Sequence, residues 1–137
     1  MSSFKIFDIA GSGLSAQSVR LNTVASNLAN ADSVSGDPAS VYKARHPVFE
    51  AVRAALGAPK SDAAVQVRGI VENNAPPTTR YEPGNPSADA NGNVYVPNVN
   101  AVEEMVDMIS ASRAYQNNVE VMNTSKDLLL ATLKLGQ

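Results

Sequence analysis

Cysteine is absent from the 137 residues, so neither disulfides nor thiolate metal sites are open to this chain. Histidine occurs once, at His46, which would leave any transition-metal site to carboxylates alone; His46 therefore reads as a structural or surface residue. Charge is sparse and balanced. The 11 basic and 13 acidic residues are scattered singly, for a formal net charge of -2. Such a distribution supplies no basic stripe for a nucleic-acid backbone and no polybasic anchor for an anionic membrane. No window approaches the roughly 18 apolar residues of a membrane span, and the start MSSFKIFDIAGSGLSAQS lacks the apolar core of a secretory signal. If the chain leaves the cytosol, the expected route is export without a cleaved signal peptide. Proline is missing from both ends: all eight prolines lie between Pro38 and Pro97.

What the ends do contain is heptad periodicity. Phe7, Leu14, Leu21 and Leu28 recur every seventh residue, with Ala10, Val24 and Ala31 on companion positions. Met108, Tyr115, Met122 and Leu129 repeat the pattern near the other end, beside Met105, Val119 and Leu133. Stripes of this kind need partners. The first predicts a helix over about Phe4 to Asn30, with Gly11 and Gly13 weakening its start by about 1 kcal/mol each, so that the firmer part begins at Leu14. Its polar face carries Ser15, Gln17, Ser18, Asn22, Thr23, Ser26, Asn27 and Asn30, with Arg20 the only charge. A solvated face normally carries interspersed Lys and Glu. Small amides and hydroxyls tolerate burial at lower desolvation cost, which predicts a helix packed on more than one side.

The cluster Asp32, Ser33, Ser35, Gly36, Asp37, Pro38 ends this helix. The segment from Ser33 to Asn98 has short β-capable runs at Val41 to Ala44, Val48 to Val52, Val65 to Val71 and Val94 to Pro97. Turn-rich stretches such as Gly57-Ala58-Pro59 and Glu82-Pro83-Gly84-Asn85-Pro86 separate them, and a small irregular β unit or an extended loop fits equally well. A second helix is predicted over Ala101 to Leu135, which has neither proline nor glycine. Asn100 and Glu103 form a capping-box pattern at its start, and Gly136 is placed as its stop. At ~1.5 Å per residue this helix reaches about 50 Å, too long for a globule of this mass, so it must bend or lie along something larger. Val102, Val106, Ile109, Val121, Leu128, Leu130 and Leu135 widen its apolar arc beyond what one partner helix covers. The expected class is mainly α. Long terminal helices pair as an antiparallel coiled-coil-like hairpin around a central irregular loop or small β region, with divisions at 1–32, 33–98 and 99–137.

Catalytic motifs are weak. Gly11-Ser12-Gly13-Leu14-Ser15 lacks the spacing of a nucleophile elbow and the strand that would precede it. Glu103 and Glu104, adjacent on a helix, point about 100 degrees apart and do not make a paired acid and base. Ser87-Ala88-Asp89-Ala90-Asn91-Gly92 matches part of a calcium loop, but Ser87 replaces the first acidic ligand and Asn98 the bidentate glutamate; a turn is the better reading. No cofactor is expected, and the chain reads as no enzyme.

Ser26-Asn27-Leu28-Ala29-Asn30-Ala31-Asp32-Ser33 resembles the N-terminal signature of bacterial flagellar basal-body rod proteins. Tyr95-Val96-Pro97-Asn98-Val99-Asn100, followed by Val102 to Ile109 and Ser112 to Val119, is similar to the C-terminal motif of that family. The resemblance implies an axial structural protein, exported unfolded through the flagellar type III apparatus without cleavage. It implies that the terminal helices form the inner layer of a helical rod and the middle segment an outer layer. Such a rod spans the periplasm and transmits torque for motility. The assembly interface carried over to this sequence is Leu14, Leu21, Val24, Asn27, Leu28, Asn30, Met105, Met108, Ile109, Tyr115, Met122 and Leu129. The implied partners are copies of the chain, other flagellar rod subunits, and adjoining membrane-ring and export-gate components, with no nucleic acid and no membrane span. Family members often close the first motif with Thr, Gly and an aromatic residue; Asp32-Ser33-Val34-Ser35-Gly36-Asp37 stands here instead, which points to the proximal rod. The rival is a soluble helical adaptor or export chaperone that uses amphipathic ends to bind partners.

Overall fold

The computed structural model describes residues 3–53 and 63–135. In chain order they form α1 (Ser3–Ala29), β1 (Arg45–Arg53), β2 (Ala63–Glu72), β3 (Thr78–Tyr81), β4 (Asn93–Val96) and α2 (Ala101–Leu135). The expected mainly α class does not hold. The described residues hold four strands beside the two helices, the strands forming two small antiparallel sheets, β1–β2 and β3–β4. Sequence periodicity underrated the β content for local reasons. Strand β1 begins before Pro47, a residue that argues against a strand, but Pro47 is tolerated in a two-stranded sheet because one edge needs no N–H donor. Strand β3, Thr-Thr-Arg-Tyr, shows no apolar alternation and is exposed throughout. The run Val41 to Ala44 is not a strand; it is an irregular segment with Val41 and Ala44 buried. The turn expected at Gly57-Ala58-Pro59 and the stop at Gly136 lie outside the described residues.

Helix α1 is continuous through Gly11 and Gly13. A Cβ built on Gly13 would stand 2.9 Å from Nδ2 of Asn118 on α2, so this glycine permits close helix contact, and the contact supports the helix at the position expected to weaken it. At its far end the Asn30 side chain donates to the Ser26 carbonyl (2.8 Å), and Ser33 returns to the Asn30 carbonyl through both its amide and its hydroxyl. Helix α2 starts on Asn100, whose Oδ1 accepts the amides of Val102 (3.1 Å) and Glu103 (3.4 Å); such a cap contributes about 1 kcal/mol.

The two helices run antiparallel. Arg20 meets Asp107, Asn27 meets Glu104, and Gly13 meets Asn118, so rising numbers on α1 face falling numbers on α2. The β1–β2 hairpin lies against α1 as well, and among the described residues α1 is the one element that α2 contacts. Helix α1 is therefore covered on two sides, which explains a polar face almost without charge. The pairing of β1 with β2 slips by one residue: Val48 faces Gly69, Phe49 faces Val67, and Arg68 is the extra residue. This bulge accounts for the broken alternation of β2, and Ile70 beyond it lines a cleft with Val19, Thr23 and Ser26 of α1. Elsewhere Ser35 bridges to Tyr95 and fastens the exit of α1 to β4.

The apolar interior is thin. The buried hydrophobic residues are Ala10, Ala16, Val24, Val41, Ala44, Val94 and Ala111, none larger than valine, while many large apolar side chains remain exposed. Each buried valine contributes ~1.5–3 kcal/mol and each alanine less, so seven such residues stabilise the fold less than a core of leucine, isoleucine and phenylalanine would.

Candidate functional site: the helix pair and its exposed face

The best-built feature is a polar node at the end of α1. Asn27 has no solvent exposure, and all its hydrogen-bonding groups are engaged. Its Nδ2 donates to the Arg45 carbonyl (2.9 Å) and to Oε1 of Glu104 (3.0 Å). Its Oδ1 accepts the Tyr42 hydroxyl (2.8 Å) and the Arg45 amide (2.9 Å). One side chain thus joins α1, the segment leading into β1, and the first turn of α2. Ser26 extends the node through a contact of 3.1 Å with the Tyr42 hydroxyl, and the Arg45 guanidinium lies over the Tyr42 ring. Glu104 is buried with it, and the second carboxylate oxygen of Glu104 takes no hydrogen bond from the described residues. Asparagine suits this place because it offers two donors and an acceptor without the desolvation cost of a charge.

Between the helices, the α2 seam alternates large and small residues. Met108, Met122 and Leu129 are partly buried and Tyr115 is at the edge of exposure. Their companions on the buried side are Glu104, Ala111, Asn118 and Ser125, seven residues apart, in place of Met105, Val119 and Leu133. Met105, Ile109, Val119 and Leu133 are exposed. On α1, Leu14, Leu21 and Leu28 are partly buried, Val24 is buried, and Asn30 serves the helix end. The structure brings the α1 stripe and the Met108 stripe together and leaves Met105 and Ile109 outside the pair. Glu104, Ala111, Asn118 and Ser125 escaped sequence reasoning because a stripe was sought among large apolar residues; their heptad spacing was the available signal.

Hence α2 presents an outer apolar strip at its start, Val102, Met105, Val106 and Ile109, and further exposed leucines, Leu128, Leu130 and Leu133, near its end. Exposed strips of this size mark interaction surfaces. The ion pair of Arg20 with Asp107 (2.8 Å) is partly solvated and fixes register more than it stabilises.

The remaining chemistry-bearing residues have structural tasks. His46 is exposed on β1 opposite Val71. The Ser12 hydroxyl donates to the Ile9 carbonyl (2.7 Å) and accepts the Val65 amide (3.0 Å), tying α1 to β2. In the loop resembling a calcium site, Oδ1 of Asp89 accepts the amides of Asn91 (2.8 Å) and Asn93 (2.9 Å), and Oδ2 accepts the Tyr95 hydroxyl (3.3 Å). Gly92 there adopts a φ of 79°, as a tight turn requires. The Asn93 amide above all holds the Asp89 carboxyl below its ordinary value of 3.8, with burial opposing and the Asn91 amide and Tyr95 hydroxyl assisting. A depressed carboxyl stabilises the fold above the unfolded value and loses that contribution as pH falls through the folded value. The amide resonances of Asn91 and Asn93 should therefore titrate together with a midpoint below 3.8, and Asp89→Asn should abolish that titration. A midpoint at or above 3.8 would contradict the assignment.

Comparison with known proteins agrees with this architecture. Residues 7–36 match the family model "Flagella basal body rod protein", and residues 90–135 match "Flagellar basal body rod FlgEFG protein C-terminal". The flagellar basal-body rod protein FlgC of Salmonella typhimurium is 56 % identical over the whole of both chains, and that of Escherichia coli O157:H7 is equally similar over the same extent. FlgC of Aquifex aeolicus is 43 % identical over 98 % of this chain and 97 % of its own. The matched ends are α1 with its asparagine node and α2 with its capped start, and identity at this level over the full length places the chain in the flagellar basal-body rod protein FlgC family.

Proposed function

We propose that the antiparallel helix pair is the unit by which this chain polymerises into the rod, with the outer strip of α2 as its main contact between subunits. Membership of the family makes the chain a structural subunit of the basal-body rod and not an enzyme, and it assembles with other basal-body components. The single observation that carries the polymerisation reading is the exposed strip of α2, large apolar side chains on a fold in which, among the described residues, no buried apolar residue is larger than valine. Leu14, Leu21, Val24, Leu28, Met108, Met122 and Leu129 hold the pair together, with Tyr115 at its margin; Met105 and Ile109 face neighbours; Asn27 and Asn30 set the helix end.

On this reading residues 1–32 and 99–137 form an inner layer and 33–98 an outer one. The β1–β2 hairpin stiffens α1 from the outside, so torque passes between subunits through paired helices. The rod spans the periplasm beside membrane-ring and export-gate components, its subunits delivered unfolded and uncleaved. Replacing Met105 and Ile109 together by glutamate should leave the helical content of the free chain unchanged and reduce intact rods and motility at least tenfold. Normal motility with both glutamates in place would refute the role of this face.

A further inference from the structure

Methionine is the only sulfur-bearing residue of the chain, since cysteine is absent, so no thiol competes with its thioethers for an oxidant. Three of the four methionines lie on α2, and the fold places them differently. Met108 and Met122 are partly buried in the seam against α1, whereas Met105, about one turn before Met108, is 57 % exposed on the outer strip. Oxidation of a thioether follows its access to solvent. Val102 and Ile109, three residues before Met105 and four after it, share its face and carry no polar atom on their side chains. From Ala101 to Ile109 the polar side chains are Glu103, Glu104 and Asp107, which only accept hydrogen bonds when ionised. An oxygen added to Met105 would therefore find no donor side chain among its helical neighbours.

We infer that Met105 is a redox modification site, at which an oxidant of the peroxide class converts the thioether to its sulfoxide and so hinders entry of the chain into the rod. The sulfur lone pair attacks one oxygen of hydrogen peroxide; the S–O bond forms as the O–O bond breaks, sulfur gives up two electrons, and the remaining oxygen leaves as water. The product is methionine sulfoxide, polar where the thioether was apolar. Its oxygen stands in the middle of an apolar contact face, and burying it there without a donor carries a desolvation cost that the thioether does not. Met108 and Met122 are shielded by the helix pair, so mild oxidation alters the outer face before it reaches the seam. On the rod reading, on which this site depends, a folded subunit is sensitive before assembly and shielded after it.

The test treats the purified full chain with hydrogen peroxide and follows each methionine by peptide mass spectrometry. Met105 should gain oxygen at least fivefold faster than Met108 and Met122, with helical content unchanged while it does so. Equal or slower oxidation of Met105 would overturn the inference. In isolated basal bodies treated in the same way, Met105 should react at least fivefold more slowly than in the free chain; equal rates would defeat the rod reading of this face and the inference with it. In cells, Met105→Gln, which carries a polar group of similar length to the sulfoxide, should give at least fivefold fewer rods than Met105→Leu. Equal rod yields from these two variants, where Met105→Glu with Ile109→Glu abolishes rods, would leave the strip as an interface and overturn the switch.

Discussion

Asn27→Ala should destabilise the chain by about 3–5 kcal/mol, because four hydrogen bonds end on this one fully buried side chain and truncation removes all four at once. The amide and carbonyl of Arg45 and Oε1 of Glu104 lose their Asn27 partner, and the Tyr42 hydroxyl keeps only its contact with Ser26. Against a total of roughly 5–15 kcal/mol for a domain, such a loss removes a large share of the stability. Asn27→Asp should be no better. It keeps the acceptor for Tyr42 and Arg45 but exchanges the amide donor for a second carboxylate oxygen beside the Glu104 carboxyl and the Arg45 carbonyl. Glu104→Gln supplies the contrast, since it keeps an oxygen for the Asn27 donor and removes a buried charge whose other oxygen has no partner within the described chain. Its expected cost is under ~1 kcal/mol. Urea midpoints of the three variants rank them, and an Asn27→Ala midpoint within error of the parent would remove the node from its central place.

The same node shows how far the residues could be read before the structure. That the first helix ends near Asn30 was legible from the Asp32 to Pro38 cluster, and the family resemblance implied a place for Asn27 at that end. That Asn27 is bonded to Glu104, 77 positions away, was not, since no local pattern reports a hydrogen bond across the fold. The span of α2 was legible because proline and glycine are missing between a capping Asn100 and Leu135. Which face of α2 turns inward was half legible. The Met108 stripe is inside, but its companions are small or polar, and the large apolar residues Met105, Ile109, Val119 and Leu133 are exposed. The hairpins were the least legible part: β2 alternates until the bulge at Arg68 reverses its phase, and β3 alternates nothing. Strands stabilised mainly by pairing across a hairpin carry little burial signal of their own.

A polar seam between helices has a consequence for assembly. The Asn27–Glu104 hydrogen bond and the small residues Gly13, Ala111 and Ser125 set the register of the seam, while their apolar contribution is small. The helices are thereby held in one alignment yet leave much of their large apolar surface exposed. On the proposed rod reading, burial of that surface between subunits adds stability that the isolated fold lacks.

Ala111 is the most exacting point of that seam, fully buried on α2 between the Arg20–Asp107 pair and the approach of Gly13 to Asn118. Ala111→Leu should cost about 1–3 kcal/mol by overpacking, since helices already in contact must separate to admit the larger side chain. Separation lengthens the 2.8 Å Arg20–Asp107 contact and shifts the outer strip of α2 relative to the β1–β2 hairpin, so rod formation should suffer more than folding does. Ala111→Ser is the matched control. Ser125, two heptads along the same seam, donates its hydroxyl to the Val121 carbonyl four residues back (2.7 Å), and a serine at 111 can bond to the Asp107 carbonyl in the same way without adding bulk. Its expected cost is below ~1 kcal/mol. Denaturant midpoints measure the folding part and rod yield the assembly part. If Ala111→Leu forms rods as well as Ala111→Ser does, close approach of the two helices is not what positions the outer strip.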